Sequence, residues 1–153
     1  MVNHYDANTR QHLRVWLKLL KTSTNIETAL RERLKKECST TLPRFDVMAA
    51  LDHHTDGLRM TELSDFLMVS NGNVTGIVSR LAESGLIERT QDTHDRRAQK
   101  VCLSPSGQAE FKQLAQRHAQ WIDDIMQPLN TEESNTLLTL LERLANHKVD
   151  KND

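Results

Sequence analysis

The sequence predicts a mainly α protein: a pair of short helices and a charged β-hairpin set between longer helices at both ends. Three observations carry this. Leu dominates the apolar residues, with only five Gly and three Pro, which favours helices over a sandwich or barrel. Apolar residues recur at helical spacing over 10–37 and again over 105–147. Between them, two short runs at 86–90 and 99–103 flank a polar, charged stretch, the pattern of a long-looped hairpin.

The elements follow in order. Leu13, Trp16, Leu17, Leu20, Ile26, Leu30 and Leu34 form the stripe of a first helix, with imperfect phase near Thr22 to Asn25. Pro43 suits the first turn of a second helix, which carries Phe45, Val47, Met48, Ala50 and Leu51 and ends near His53. Asp56-Gly57 signals a turn. Thr61 is expected to cap a short helix over Glu62 to Leu67, with a turn at Met68 to Ser70. Ser70 or Asn71 then caps a helix running to Ser84, and Gly85 ends it in a left-handed conformation. After strands at Leu86 to Thr90 and Gln99 to Leu103, Ser104-Pro105 starts a helix that stops around Pro128. Thr131 is expected to cap the last helix, rich in Leu137, Leu138, Leu140, Leu141 and Leu144.

The chain has 153 residues, about one domain on length. Hydrophobic residues at 37% allow a modest core, built mainly of aliphatics because aromatics are 4%. No stretch approaches the ~20 apolar residues that span a bilayer, and Met1 to Arg14 is polar. Two Cys do not make a disulfide scaffold. These features point to a soluble, cytoplasmic protein with no membrane partner. The net charge of −1 argues against an indiscriminate nucleic-acid binder. Residues 1–42 hold eight Lys/Arg against four Asp/Glu, whereas 43–104 and 105–153 are net acidic, so any DNA contact must come from focal Arg and Lys placement.

Helix, tight turn, helix and hairpin is the layout of a winged helix-turn-helix. At ~100° per residue, Val74, Ile77, Val78 and Leu81 share one narrow arc of the second helix of the pair. The opposite arc holds Gly72, Thr75, Gly76, Ser79 and Glu83, with Asn73 and Arg80 at its edge. Two helical glycines cost about 1 kcal/mol each relative to Ala, and neither lies on the core arc. A face of Gly, Thr, Ser and Asn lets a helix approach a groove closely and hydrogen-bond base edges and phosphates. Packing of Gly72 and Gly76 against another helix is the plainer alternative. From Arg89 to Lys100 the net charge is +2, and Arg96 and Arg97 at the loop tip can reach a narrow minor groove. A solvated charged loop would explain that segment alone; beside the helix pair, a wing explains it better.

These residues resemble the MarR family of bacterial transcription regulators. Asp95-Arg96-Arg97-Ala98-Gln99-Lys100-Val101-Cys102-Leu103-Ser104 is similar to the family wing pattern of Asp-x-Arg, five residues, then Leu-Thr, with Ser104 in place of Thr. Leu63 to Leu67, Gly72-Asn73-Val74-Thr75 and Val78-Ser79-Arg80-Leu81 onward to Arg89 fit the helix pair and strand entry. The resemblance implies a homodimer whose terminal helices, 1–40 and 105–153, intertwine, with 41–104 as the DNA-binding lobe. Two lobes would read half-sites about one helical turn apart, ~10 bp. It implies DNA contacts from Ser70, Asn71, Gly72, Asn73, Thr75, Gly76, Ser79, Arg80, Arg96, Arg97 and Lys100, with Arg97 in the minor groove and Asp95 bracing the wing by pairing with Arg80. The stretches 42–51 and 67–76 are similar to members that control aromatic-acid catabolism, which implies an aromatic or phenolic acid, or its CoA thioester, as effector.

A ligand-released repressor of a pseudo-palindromic operator is the function expected. His12, Trp16, Arg44, Phe45, His53 and Trp121 are expected to line the effector pocket, rings stacking an aromatic and Arg or His meeting a carboxylate; singly, each Trp is better read as a plain core or dimer residue. Redox sensing through Cys38, near Arg33, Lys35 and Lys36, or through Cys102, is an alternative. So is metal sensing, although His53-His54 diverge on a helix and no compact Cys/His spacing occurs. A helical adaptor binding only protein is the remaining class, separated by whether Arg96 and Arg97 are needed. No Gly-x-Ser-x-Gly, His-Glu-x-x-His or phosphate-loop motif occurs, so neither an enzyme nor a cofactor or metal is expected.

Overall fold

The computed structural model describes residues 5–147. Six helices and three strands occur in the order α1 Ala7–Cys38, α2 Leu42–His53, β1 Leu58–Arg59, α3 Met60–Leu67, α4 Asn71–Glu83, β2 Ile87–Gln91, β3 Gln99–Leu103, α5 Pro105–Met126 and α6 Thr131–Ala145. The described residues divide into two compact units, which part between His118 and Ala119.

The first unit is a mainly helical winged helix. Asp6 caps α1, its Oδ1 accepting the Thr9 N–H at 2.8 Å. The helix runs without a break through the imperfect phase at Thr22 to Asn25, and at 1.5 Å rise per residue it is about 48 Å long. Only Leu30 and Leu34 of α1 are buried. Thr41 caps α2 through the Arg44 N–H, with Pro in the first turn where no amide partner is needed. Leu34 then meets a core of Val47, Met48 and Leu51 from α2, Leu63 from α3, and Val74, Val78 and Leu81 from α4, all at most 1% exposed. Each such side chain contributes about 1.5–3 kcal/mol of burial. Ile77, placed on the same arc by its phase, is only half-buried.

The sheet has the order β1-β3-β2, antiparallel throughout. Ile87 faces Leu103 and Arg89 faces Val101 across the hairpin, while Leu58 faces Val101 on the other side of β3. The strand β1 is absent from the sequence reading, because two residues carry no readable period. Gly57 makes it possible: its φ is +80°, and a Cβ there would stand 2.9 Å from the Val101 carbonyl oxygen.

Three expected caps are corrected. Arg59, not Thr61, precedes α3, and its N–H donates to Glu62 Oε2 at 2.7 Å. Thr61 lies inside the first turn, since β1 runs straight into the helix. Asn130, not Thr131, caps α6, exchanging bonds with Glu133 at 2.9 Å each way. Ser70 occupies the cap position of α4 but makes no side-chain cap bond. Strand β2 also begins one residue later than expected, because Leu86 completes the turn at Gly85 (φ +74°) with its N–H on the Leu81 carbonyl.

The start of α5 is tied to that turn. Ser104 Oγ donates to the Gly85 carbonyl at 2.6 Å and accepts the Gly107 N–H at 3.0 Å. Ser104 N–H donates to the Leu86 carbonyl. Gly107 sits so close that an added Cβ would be 2.0 Å from Leu86 O. In the second unit Trp121 is buried, whereas no residue of α6 is. Gly107→Ala is therefore expected to destabilise the protein by about 3 kcal/mol or more through overpacking against backbone; chemical denaturation measures it, and a wild-type midpoint would contradict the packing described.

Candidate nucleic-acid interface

The helix pair is joined by a three-residue turn. Met68 ends α3 in the left-handed region, φ +53°, and its N–H donates to Asp65 O. Val69 N–H donates to Ser64 O at 3.2 Å. Ser64, buried at 4% exposure, hydrogen-bonds the Asn71 side chain and the Met60 carbonyl, locking the start of α4 onto α3. Asn71 is thus engaged inside the motif. Thr75 Oγ1 donates to the Asn71 carbonyl at 2.8 Å.

Outward, α4 presents the small residues that the angular count placed there. Gly72, Asn73 and Thr75 are exposed, and Gly76 and Ser79 half-exposed. A Cβ added at Gly72 or Gly76 would meet nothing within 4 Å. Packing within the chain therefore does not account for either glycine. With no side-chain cap at Ser70, the first N–H groups of α4 are left to an outside acceptor, the arrangement that favours anions at a helix start.

The wing is built around a buried carboxylate. Asp92 is 4% exposed in a loop whose other residues, 93–97, are exposed. Its Oδ2 accepts Arg59 Nε at 2.8 Å and Nη2 at 2.6 Å. Its Oδ1 accepts the His94 N–H at 2.9 Å, and its own N–H donates to Ala98 O. These bonds to the charged form, first the His94 amide and then Arg59, hold the carboxyl well below its ordinary range, at about 2. Asp95 is not paired with Arg80; its Oδ1 accepts the Arg97 N–H at 3.0 Å, two residues on, as an Asx turn does. The ion pair reaching the wing from outside is Arg59–Asp92, 33 residues apart, which no local pattern announces. Arg96 and Arg97 stand exposed at the tip, and Lys100 is half-buried beside β1.

Arg80 is exposed at the edge of the outer face of α4, beside Gly72, Asn73 and Gly76. It lines two adjoining cavities with α1 and α2. The six residues expected to form an effector pocket are not gathered into one. His12 and Trp16 are exposed on α1. Phe45 is core, its ring 5.5 Å from Phe111 and stacked at 4.6 Å on His118, because its phase on α2 is that of Met48. His53 meets His54 edge-on at 5.0 Å. Trp121 is buried. Of the six, Arg44 alone lines a described cavity.

Cys38 and Cys102 are free and half-buried. Burial, then the Glu88 carboxylate, pushes the Cys102 thiol up, away from thiolate chemistry. Among the described residues no three of His, Cys, Asp and Glu are grouped to hold a metal, and no helix is long and apolar enough to cross a membrane.

Residues 40–98, from the end of α1 through the wing loop, match the sequence model of the MarR family. That segment, less than half of the chain, is what resembles the MarR family. It is 28% identical over 107 residues to the HTH-type transcriptional regulator PecS of Dickeya dadantii, covering 69% of this chain and 64% of PecS. It is also 28% identical over 116 residues to the transcriptional activatory protein BadR of Rhodopseudomonas palustris, covering 74% and 66%. The matches thus span less than two thirds of the length of these relatives. In fold, the chain is similar to a mutant MarR from E. coli complexed with operator DNA, with a TM-score of 0.74 and 23% identity over 92% of this chain and 99% of that one.

The depressed Asp92 carboxyl fixes the sign of a pH dependence. A folded-state value near 2, below the ordinary 3.8, gives support that is present above about pH 4 and lost as pH falls towards 2. Thermal unfolding of Asp92→Asn should begin at a lower Tm near neutral pH yet decline less than wild type over that acid window. Parallel acid limbs for the two proteins would contradict the pairing.

Proposed function

We propose that the chain is a sequence-reading transcription regulator that binds duplex DNA as a homodimer, α4 entering the major groove and the wing tip reaching the minor groove. The observation that carries this is the outer face of α4, where Gly72 and Gly76 leave open space beside Asn73, Thr75 and Ser79. That face lowers helix stability and does no packing inside the chain, so its use lies outside it. A groove edge fits, because it requires close approach and short polar side chains. Exposed Arg96 and Arg97 on a loop held by Asp92 and Asp95 supply focal charge in a chain that is net acidic.

Homodimerisation is supported by the faces that the single chain leaves bare. Leu13, Trp16, Leu17 and Leu20, at i, i+3, i+4 and i+7 of α1, are 42–60% exposed. Leu137, Leu138, Leu140, Leu141 and Leu144 of α6 are also exposed. Such stripes on helices of a folded chain call for a partner surface. The terminal helices, 1–40 and 105–153, would supply it, leaving 41–104 as the DNA lobe; residues 1–4 and 148–153 lie outside the described ones. A ligand that favours dimers with mismatched lobe spacing would release DNA by population shift, which is the action of a repressor relieved by its effector.

Selection of genomic fragments by the purified protein, followed by sequencing, tests the reading. Enrichment of a pseudo-palindrome with half-sites ~10 bp apart is expected; no enrichment at low salt would favour a protein-only adaptor. Arg97→Ala should weaken operator binding and reduce the salt slope by about 1. Unchanged affinity and slope would remove the wing from the interface. Gly76→Ala should stabilise the free protein by about 0.5–1 kcal/mol while weakening binding to the selected duplex; a gain in stability with full affinity would show that clearance at Gly76 is not used.

A further inference from the structure

A cleft of about 740 Å³ opens between the C-terminal half of α1, the start of α2 and one side of α4. Four cations line it, Arg31, Lys35, Arg44 and Arg80, and no Asp or Glu does. Arg31 is ion-paired with Glu27. Among the described residues the side chains of Lys35 and Arg80 have no hydrogen bond or ion pair. Arg44 Nε is buried without a hydrogen-bond partner. A buried charged donor left unpaired is costly, and an anion seated in the cleft would satisfy it. Ser39, Thr40 and Thr41 add hydroxyls, and the positive end of the 12-residue helix α2 begins there.

We propose that this cleft binds the phosphate group of a small organic phosphate. Three cations without carboxylate partners suit a multiply charged oxyanion better than a single carboxylate. The cleft has no aromatic lining to stack a ring. Its neighbour, about 500 Å³, shares Arg31, Leu42, Pro43, Ile77 and Arg80, carries the Glu27 and Asp46 carboxylates on one side, and has Val47, Leu67, Val69 and Val74 as an apolar wall. That wall would take the apolar part of the ligand. Ile77 and Arg80 belong to α4, so an occupied cleft would bias the position of that helix. Site and chemistry stand on the cleft alone; the effect on DNA rests on reading α4 as the recognition helix.

Inorganic pyrophosphate is the probe, titrated calorimetrically into the full chain. Saturable binding with a Kd of about 1 mM or tighter is expected. Lys35→Gln, an exposed change that spares the fold, and Arg44→Gln should each weaken it about tenfold, and Arg97→Ala should leave it unchanged. Pyrophosphate should also shift the affinity for the selected duplex in wild type but not in Lys35→Gln. No saturation by about 10 mM, or equal weakening by Arg97→Ala, would overturn the site. If Lys35→Gln lost duplex affinity in phosphate-free buffer as Arg97→Ala does, the cleft would be a DNA-backbone contact and the proposal would fail. Wild-type protein that takes pyrophosphate but selects no DNA would overturn the functional reading and leave the site standing.

Discussion

Asp92 is a carboxylate removed from water in the middle of a loop that is otherwise solvated. Such a group is tolerated only when it is hydrogen-bonded and paired, and here both conditions are met from different parts of the chain. The His94 amide fixes the turn of the wing, while Arg59 arrives from β1. The same Arg59 precedes α3, and its backbone N–H is held by Glu62. One ion pair thereby joins the first helix of the reading motif to the wing. The geometry of the interface depends on it, because nothing else named in the loop reaches outside the hairpin.

From that junction the rest of the interface follows. Ser64 sits one turn along α3 from Met60 and bonds Asn71, so the second helix is set against the first by a buried polar contact as well as by Val74, Val78 and Leu81. With its inner face fixed this way, the outer face of α4 is free of structural duty. Two glycines there lower the helix propensity and gain no packing inside the chain. Stability is given up there with no packing return inside the chain, as is common at functional surfaces.

The edge of that outer face has a different character. Arg80 lies there with Lys35 and Arg44, residues from three helices whose charges are brought together by folding. Like charges do not converge without an offsetting contact, and the orphaned Arg44 Nε marks where that contact is missing. The exposed leucine stripes of α1 and α6 have the same logic in apolar form: each is a surface that the single chain leaves uncovered.

Much of this is legible in the sequence. Helix order, the turn at Gly85, the hairpin and its loop, and the angular split of α4 follow from periodicity and turn chemistry, which are local. Caps are less legible, because Thr61 and Thr131 have the right chemistry one or two positions too late and only the backbone path chooses between neighbours. What tertiary structure decided is long-range. Two-residue β1 exists only because β3 lies beside it. Arg59 finds Asp92 across 33 residues, and Arg80 turns to α1 and α2 rather than to Asp95. Phe45 became core against Phe111 and His118 instead of a pocket wall. Local spacing specifies which face a side chain occupies; only the assembled fold specifies what that face meets.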